Sequence, residues 1–112
     1  MKIFIELLST YHIIYWKVEM NTVRKLLKID YIEEKGIFGQ DIVVAILDTG
    51  MAEHPDLKGK IILFKDFIGD REKCYDDNGH GTHVAGIIAG ESKDRFYGRM
   101  NINGIAKGSQ LV

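Results

Sequence analysis

An α/β domain with a parallel sheet is the fold class this sequence predicts, and three observations predict it. Ile42-Val43-Val44-Ala45-Ile46-Leu47 is an unbroken apolar run, and a run without alternation is the pattern of a strand buried on both faces of a parallel sheet. Thr82 to Ala89 is built from small and β-branched residues, with Gly81, Ala85, Gly86 and Ala89 interspersed. That composition makes a poor isolated helix and a good one for tight packing against a sheet. The chain then reaches Gln110-Leu111-Val112, where another strand begins. A strand, a crossover and a helix on one sheet give an open α/β arrangement with helices flanking a parallel central sheet.

The remaining elements follow from periodicity and punctuation. Ile3 to Leu8 and His12 to Trp16 are short runs rich in β-formers, a hairpin or an upstream arm. Lys2 followed by Ile3, Phe4 and Ile5 has the start of a signal peptide, but Glu6 and His12 interrupt it and no small-residue cleavage site follows. No stretch approaches the ~20 apolar residues a membrane span needs, so no membrane partner is expected. Residues 1–19 are read as an N-terminal extension that supplies no catalytic residue. From Asn21 onward, Val23, Leu26, Leu27 and Tyr31 fall at helical spacing and Gly36 follows as a stop, which predicts an amphipathic helix with a core-facing stripe. Ile61 to Phe64 offers a second short strand, and Asp76-Asp77-Asn78-Gly79 is a polar approach to the small-residue helix, with His80 in its first turn. A polar loop from Glu91 to Asn103 completes the chain before the last strand.

Composition bounds the function. The 112 residues are 46% hydrophobic and 28% charged with a net charge of −1, the profile of one soluble globular domain. Enzymes on wound α/β sheets usually need considerably more chain. Fifteen basic and sixteen acidic residues alternate in short mixed runs such as Asp70-Arg71-Glu72-Lys73, leaving no basic face for nucleic acid. Cys74 is the single cysteine and cannot close an internal disulfide, which suits a reducing compartment. With no targeting segment read, the expected location is cytoplasmic.

Two residues stand out as chemistry. Open α/β sheets place ligands at the carboxyl ends of their strands, and Asp48 ends the apolar run there, although a turn-forming Asp occupies the same kind of position. His80 lies between Gly79 and Gly81, where a substrate backbone can come close, at a helix N-terminus whose dipole disfavours the imidazolium. A neighbouring carboxylate pulls the other way, and the balance leaves a histidine able to act as general base. An Asp orienting a His is two thirds of a nucleophilic triad. His83 makes a His-x-x-His pair with His80, but no third ligand at zinc-like spacing follows, and a packed, hydrogen-bonded His83 is the simpler reading. Cys74 sits among charged neighbours with no helix N-terminus to favour a thiolate, and Gly79, Gly81 and Gly86 lack the spacing of a phosphate loop.

The stretches Asp41 to Gly50, His54-Pro55-Asp56-Leu57, and Asn78-Gly79-His80-Gly81-Thr82-His83-Val84-Ala85-Gly86 resemble the subtilisin-like serine proteases, the peptidase S8 family, and most closely its intracellular members. The resemblance covers roughly Leu27 to Val112, and Asn103-Gly104-Ile105-Ala106 resembles the loop that leads the family into its next central strand. It implies an incomplete subtilisin-like fold, polypeptide substrates, Asp48 as the triad aspartate and His80 as the general base. Residue physics by itself does not choose His80 over His83; the resemblance does. No cofactor is required for that chemistry, while Asp56 matches a position where many members contribute a carboxylate to a structural calcium site. The loop from Glu91 to Asn103 is longer than the family's usual partner loop.

The chain also departs from the family. Its three serines, Ser9, Ser92 and Ser109, lie outside anything like the Gly-Thr-Ser-Met-Ala-x-Pro nucleophile motif. Residues 20–112 are therefore expected to be the N-terminal portion of a catalytic domain, truncated before the catalytic serine and inactive alone, whose missing C-terminal part is its natural partner. A non-catalytic remnant or binding fragment shares every one of these motifs. A dimeric aspartic protease would account for Ile46-Leu47-Asp48-Thr49-Gly50 and for the length, but not for His80 to Gly86.

Overall fold

The computed structural model describes residues 20–92 and 102–112. The runs expected before Met20 and most of the loop from Glu91 to Asn103 lie outside the described residues. Residues 20–26 (α1) and Ile29–Glu34 (α2) are helical, followed by a strand at Val43–Val44 (β1), a 3-10 turn at Pro55–Leu57, a helix at His80–Ala89 (α3) and a strand at Gln110–Leu111 (β2). The α/β class is as expected.

β1 and β2 are parallel, with Val43 opposite Gln110 and Val44 opposite Leu111. Their ladder extends past the strand ends: Gln110 N–H donates to Ile42 C=O, Val112 N–H to Val44 C=O and Ile46 N–H to Val112 C=O, at 2.9, 3.0 and 2.8 Å. On the other side of β2, Ile61 forms a parallel bridge with Leu111. Where a strand was expected over Ile61 to Phe64, the described residues show this one parallel bridge.

The apolar run is not buried on both faces. A pleated strand sends successive side chains to opposite sides, and only the side carrying Val44 and Ile46 meets the core of Met51, Leu57, Ala85, Ala89 and Leu111. Val43 and Leu47, on the alternate side, are exposed.

α3 bears out its composition. Gly81, Ala85 and Ala89 are its buried positions, four residues apart on one face, so small side chains let the helix axis approach the sheet closely. Its end is satisfied by the loop that feeds β2: Ile105 N–H donates to Ile87 C=O and Ala106 N–H to Ile88 C=O, at 2.9 and 2.8 Å. Carbonyls in a last helical turn have no partner inside the helix, and this loop supplies one.

The single helix expected from Asn21 to Gly36 is two. Lys28 adopts a left-handed backbone with φ 54° between α1 and α2, and Val23, Leu26, Leu27 and Tyr31 are exposed instead of core-facing. Met20, Arg24 and Ile29 are the buried residues. The bend at Lys28 breaks the stripe, and the inward face belongs to Arg24, whose guanidinium donates to Gly104 C=O at 2.6 Å and pairs with Glu33 at 2.9 Å. The stop at Gly36 holds, with φ +76° and its N–H donating to Glu33 C=O. Among the described residues no helix is long and apolar enough to cross a membrane.

Candidate active site

Asp48 follows the extended run that begins in β1, and His80 is the first residue of α3. Thirty-two positions apart in sequence, they meet: His80 Nδ1 lies 2.8 Å from Asp48 Oδ1 and 2.9 Å from Oδ2. An ionised carboxylate only accepts hydrogen bonds, so Nδ1 carries the proton and donates it. In the neutral ring the basic lone pair then resides on Nε2. The hydrogen bond from His80, helped by the Thr49 backbone N–H at 2.7 Å, lowers the Asp48 carboxyl below its ordinary value and keeps it charged. The Asp48 side chain is 17% exposed and the His80 ring 63%, so the carboxylate is the more covered of the two.

Two glycines permit this approach. A Cβ on Gly81 would collide with the backbone carbonyl of Gly50, and a Cβ on Gly50, at φ +135°, would collide with the carbonyl of Tyr75. The strand end and the helix start can touch only because neither residue has a side chain.

A second carboxylate, Asp76, lies next to the pair, bonded to Thr49 and to the start of α3. Its Oδ1 accepts from Thr49 Oγ1 and from the N–H groups of Asn78 and Gly79, while its Oδ2 accepts from the N–H and hydroxyl of Thr82. Thr49 Oγ1 in turn accepts from Gly81 N–H, and Thr82 Oγ1 accepts from Ala52 N–H. Burial works to raise the Asp76 carboxyl, but these donors outweigh it and hold the group far below the usual carboxylate range. Sequence reasoning passed over Asp76 as part of a polar approach. The signal that could have found it is a carboxylate just ahead of a helix whose cap, Gly79, has no side chain to satisfy the first-turn N–H groups.

The other residues weighed from sequence fall elsewhere. His83 is exposed on the next position of the helix surface. Ser109 is fully buried and donates to Ala106 C=O at 2.8 Å, and Ser92 N–H donates to Asn103 Oδ1. Cys74 is half-buried, and burial together with the charge of Glu53 raises its thiol. A groove of about 440 Å³ opens beside Asp48, walled by Leu47, Leu63, Phe67 and Tyr75. The two-carboxylate chemistry of an aspartic protease is not what this geometry offers, since the partner of Asp48 is an imidazole.

Residues 39–112, well over half of the chain, match the family model described as the subtilase family, Peptidase_S8. The chain is a subtilase. It is 53% identical over 51 residues to serine protease AprX of Bacillus subtilis (strain 168), covering 46% of this chain and 12% of that protein. To the major intracellular serine protease of the same strain it is 49% identical over 70 residues, 58% of this chain and 22% of the relative. To a thermostable alkaline protease of Halalkalibacterium halodurans (strain ATCC BAA-125 / DSM 18197 / FERM 7344 / JCM 9153 / C-125) it is 54% identical over 55 residues, 49% of this chain and 15% of the relative. The matches thus span between 12% and 22% of the length of these relatives.

The calcium site that the family resemblance implies would take Asp56 as one ligand. The Asp56 carboxylate lies 3.8 Å from His54 Nδ1, and no group of three or more His, Cys, Asp or Glu side chains converges among the described residues. Calcium takes six to eight oxygen ligands. The described acidic side chains alone do not form such a cage.

Proposed function

We propose that this chain supplies the aspartate and histidine of an Asp-His-Ser triad in a serine-type endopeptidase acting on polypeptides. The observation that carries the reading is the Asp48–His80 hydrogen bond at 2.8 Å, with its donor on Nδ1 and the lone pair left on Nε2. In this reading His80 Nε2 removes the proton of a serine hydroxyl as its oxygen attacks a peptide carbonyl carbon. Asp48 holds the ring in the required tautomer and stabilises the imidazolium that forms, which then returns its proton to the leaving amine. A water deprotonated by the same histidine hydrolyses the acyl ester and regenerates the serine.

The 112 residues do not contain the family's nucleophile motif, so the chain by itself is proposed to bind no acyl group and to have no peptidase activity. Loss of the nucleophile costs on the order of 10⁶ in turnover in subtilisin, the example from which that magnitude is taken. A cytoplasmic location is proposed alongside, supported by the similarity to a relative named an intracellular serine protease.

A serine-directed fluorophosphonate probe tests the reading, applied to the 112-residue chain alone and to the chain joined to a subtilase C-terminal part that carries the motif. The expected result is labelling of the joined protein only, at the added serine, abolished by His80→Ala. Labelling of the isolated chain at Ser9, Ser92 or Ser109 would place the nucleophile elsewhere. A folded joined protein that takes no label would favour a non-catalytic role.

A further inference from the structure

Asp48 and His80 come from two elements that share no backbone ladder, and something must set the distance between them. Asp48 is carried by the chain leaving β1, while His80 begins α3, whose cap residue Gly79 offers no side chain. The first-turn N–H groups of a helix need acceptors, and here His80 N–H finds Asn78 Oδ1, Gly81 N–H the Thr49 hydroxyl and Thr82 N–H the Asp76 carboxylate. Asp76 takes Gly79 N–H at 2.8 Å and Thr82 N–H at 2.8 Å from the α3 side, and Thr49 Oγ1 at 2.9 Å from the residue next to Asp48. Thr49 Oγ1 closes the circuit by accepting Gly81 N–H at 3.0 Å.

We propose that Asp76 is the positioning residue of the pair, its carboxylate joining the Thr49 corner to the first turn of α3 so that His80 Nδ1 is held on Asp48. This rests on the reading of Asp48 and His80 as the orienting carboxylate and the general base of one site. All five bonds to Asp76 bring a donor to it, so the site requires a group that only accepts. An ionised carboxylate meets that requirement and a carboxamide of the same shape does not, because its NH₂ would face other donors. Asp76→Asn therefore conserves volume while opposing the junction. Thr49→Val removes the hydroxyl relay alone, and Thr49→Ser restores it.

The test reads the hydrogen bond itself and needs no nucleophile. The 112-residue chain, kept monomeric by Phe67→Lys and Ile68→Lys and carrying ¹⁵N-histidine, is followed by ¹H–¹⁵N NMR, with the His80 signal assigned by its loss in His80→Ala. Wild type and Thr49→Ser are expected to show a protonated, slowly exchanging Nδ1. In Thr49→Val that proton should exchange at least about tenfold faster, the scale of one lost hydrogen bond, and in Asp76→Asn the Nδ1 signature should be lost. A folded Asp76→Asn chain with wild-type His80 signals would overturn the proposal. Should Asp76→Asn fail to fold, wild-type exchange in folded Thr49→Val would overturn it equally. Because proteolysis is not measured, a failure here and a failure of the triad reading in the probe experiment are told apart.

Discussion

Asp76 shows how much a single carboxylate can determine when every neighbour is a donor. Its folded-state value lies far below the ordinary one, and a depressed carboxyl contributes stability that is complete above its unfolded value and lost as pH falls through the folded one. With an unfolded value of about 3.9, that contribution should be intact at pH 6 and shrink steadily below about pH 4. Asp66, lowered to about 2 by the N–H groups of Gly69 and Ile68 and by the Tyr75 hydroxyl, adds to the same acid limb. Asp76→Asn is expected to be markedly less stable than wild type near pH 6, with the gap narrowing as the pH approaches about 2. Urea unfolding midpoints of both proteins across that range provide the check, and a gap independent of pH would contradict the assignment. Asp48 and His80 were legible as residues because D-T-G and H-G-T-H-V-A-G are distinctive together. Asp76 was not, because its importance lies in the direction of five donors that only folding aims at it.

Helices in this chain are positioned by their smallest and their most polar residues. α3 approaches the strand end through Gly81, so Gly81→Ala should drive a methyl into the Gly50 carbonyl. Overpacking of this kind typically costs about 1–3 kcal/mol, and thermal unfolding followed by circular dichroism would measure it; an unchanged melting temperature would mean that the helix can retreat without penalty. α1 is held by Arg24, which is 7% exposed and reaches both Gly104 C=O and Glu33. Truncation in Arg24→Ala strands a buried carbonyl and leaves Glu33 to Lys107, 3.2 Å away. Breaking a buried pair typically costs about 3–5 kcal/mol, and with Lys107 remaining the lower end is expected from urea titration. A loss under about 1 kcal/mol would show the pair to be a surface contact in energetic terms. The helical period of Val23, Leu26, Leu27 and Tyr31 misled because periodicity reports which face is apolar and not which face is inward. The bend at Lys28 and the buried guanidinium decide the latter.

At the scale of the whole molecule, the apolar surface is distributed unevenly. Leu47, Phe67 and Ile68 are 88%, 85% and 100% exposed, all at the groove beside Asp48, and β1 has a strand partner on one side only among the described residues. Exposed apolar patches and open strand edges promote association. The 112-residue chain is therefore expected to self-associate at micromolar concentrations, and paired Phe67→Lys and Ile68→Lys substitutions to shift it toward monomer. Sedimentation velocity would show this, and a wild-type chain still monomeric at about 100 µM would refute it. The sequence by itself determined the fold class, the subtilase family, the strand near Val43–Val44 and the helix His80–Ala89, and it singled out Asp48 and His80 as candidates, because these reside in local composition and in the order of short motifs. Tertiary structure alone decided that one face of the apolar run is exposed, that the first helix is broken, that Ile61 contributes a bridge in place of a strand, and that five donors meet at Asp76. Those properties depend on which surfaces and donors meet across long sequence separations, and local patterns carry no record of such meetings.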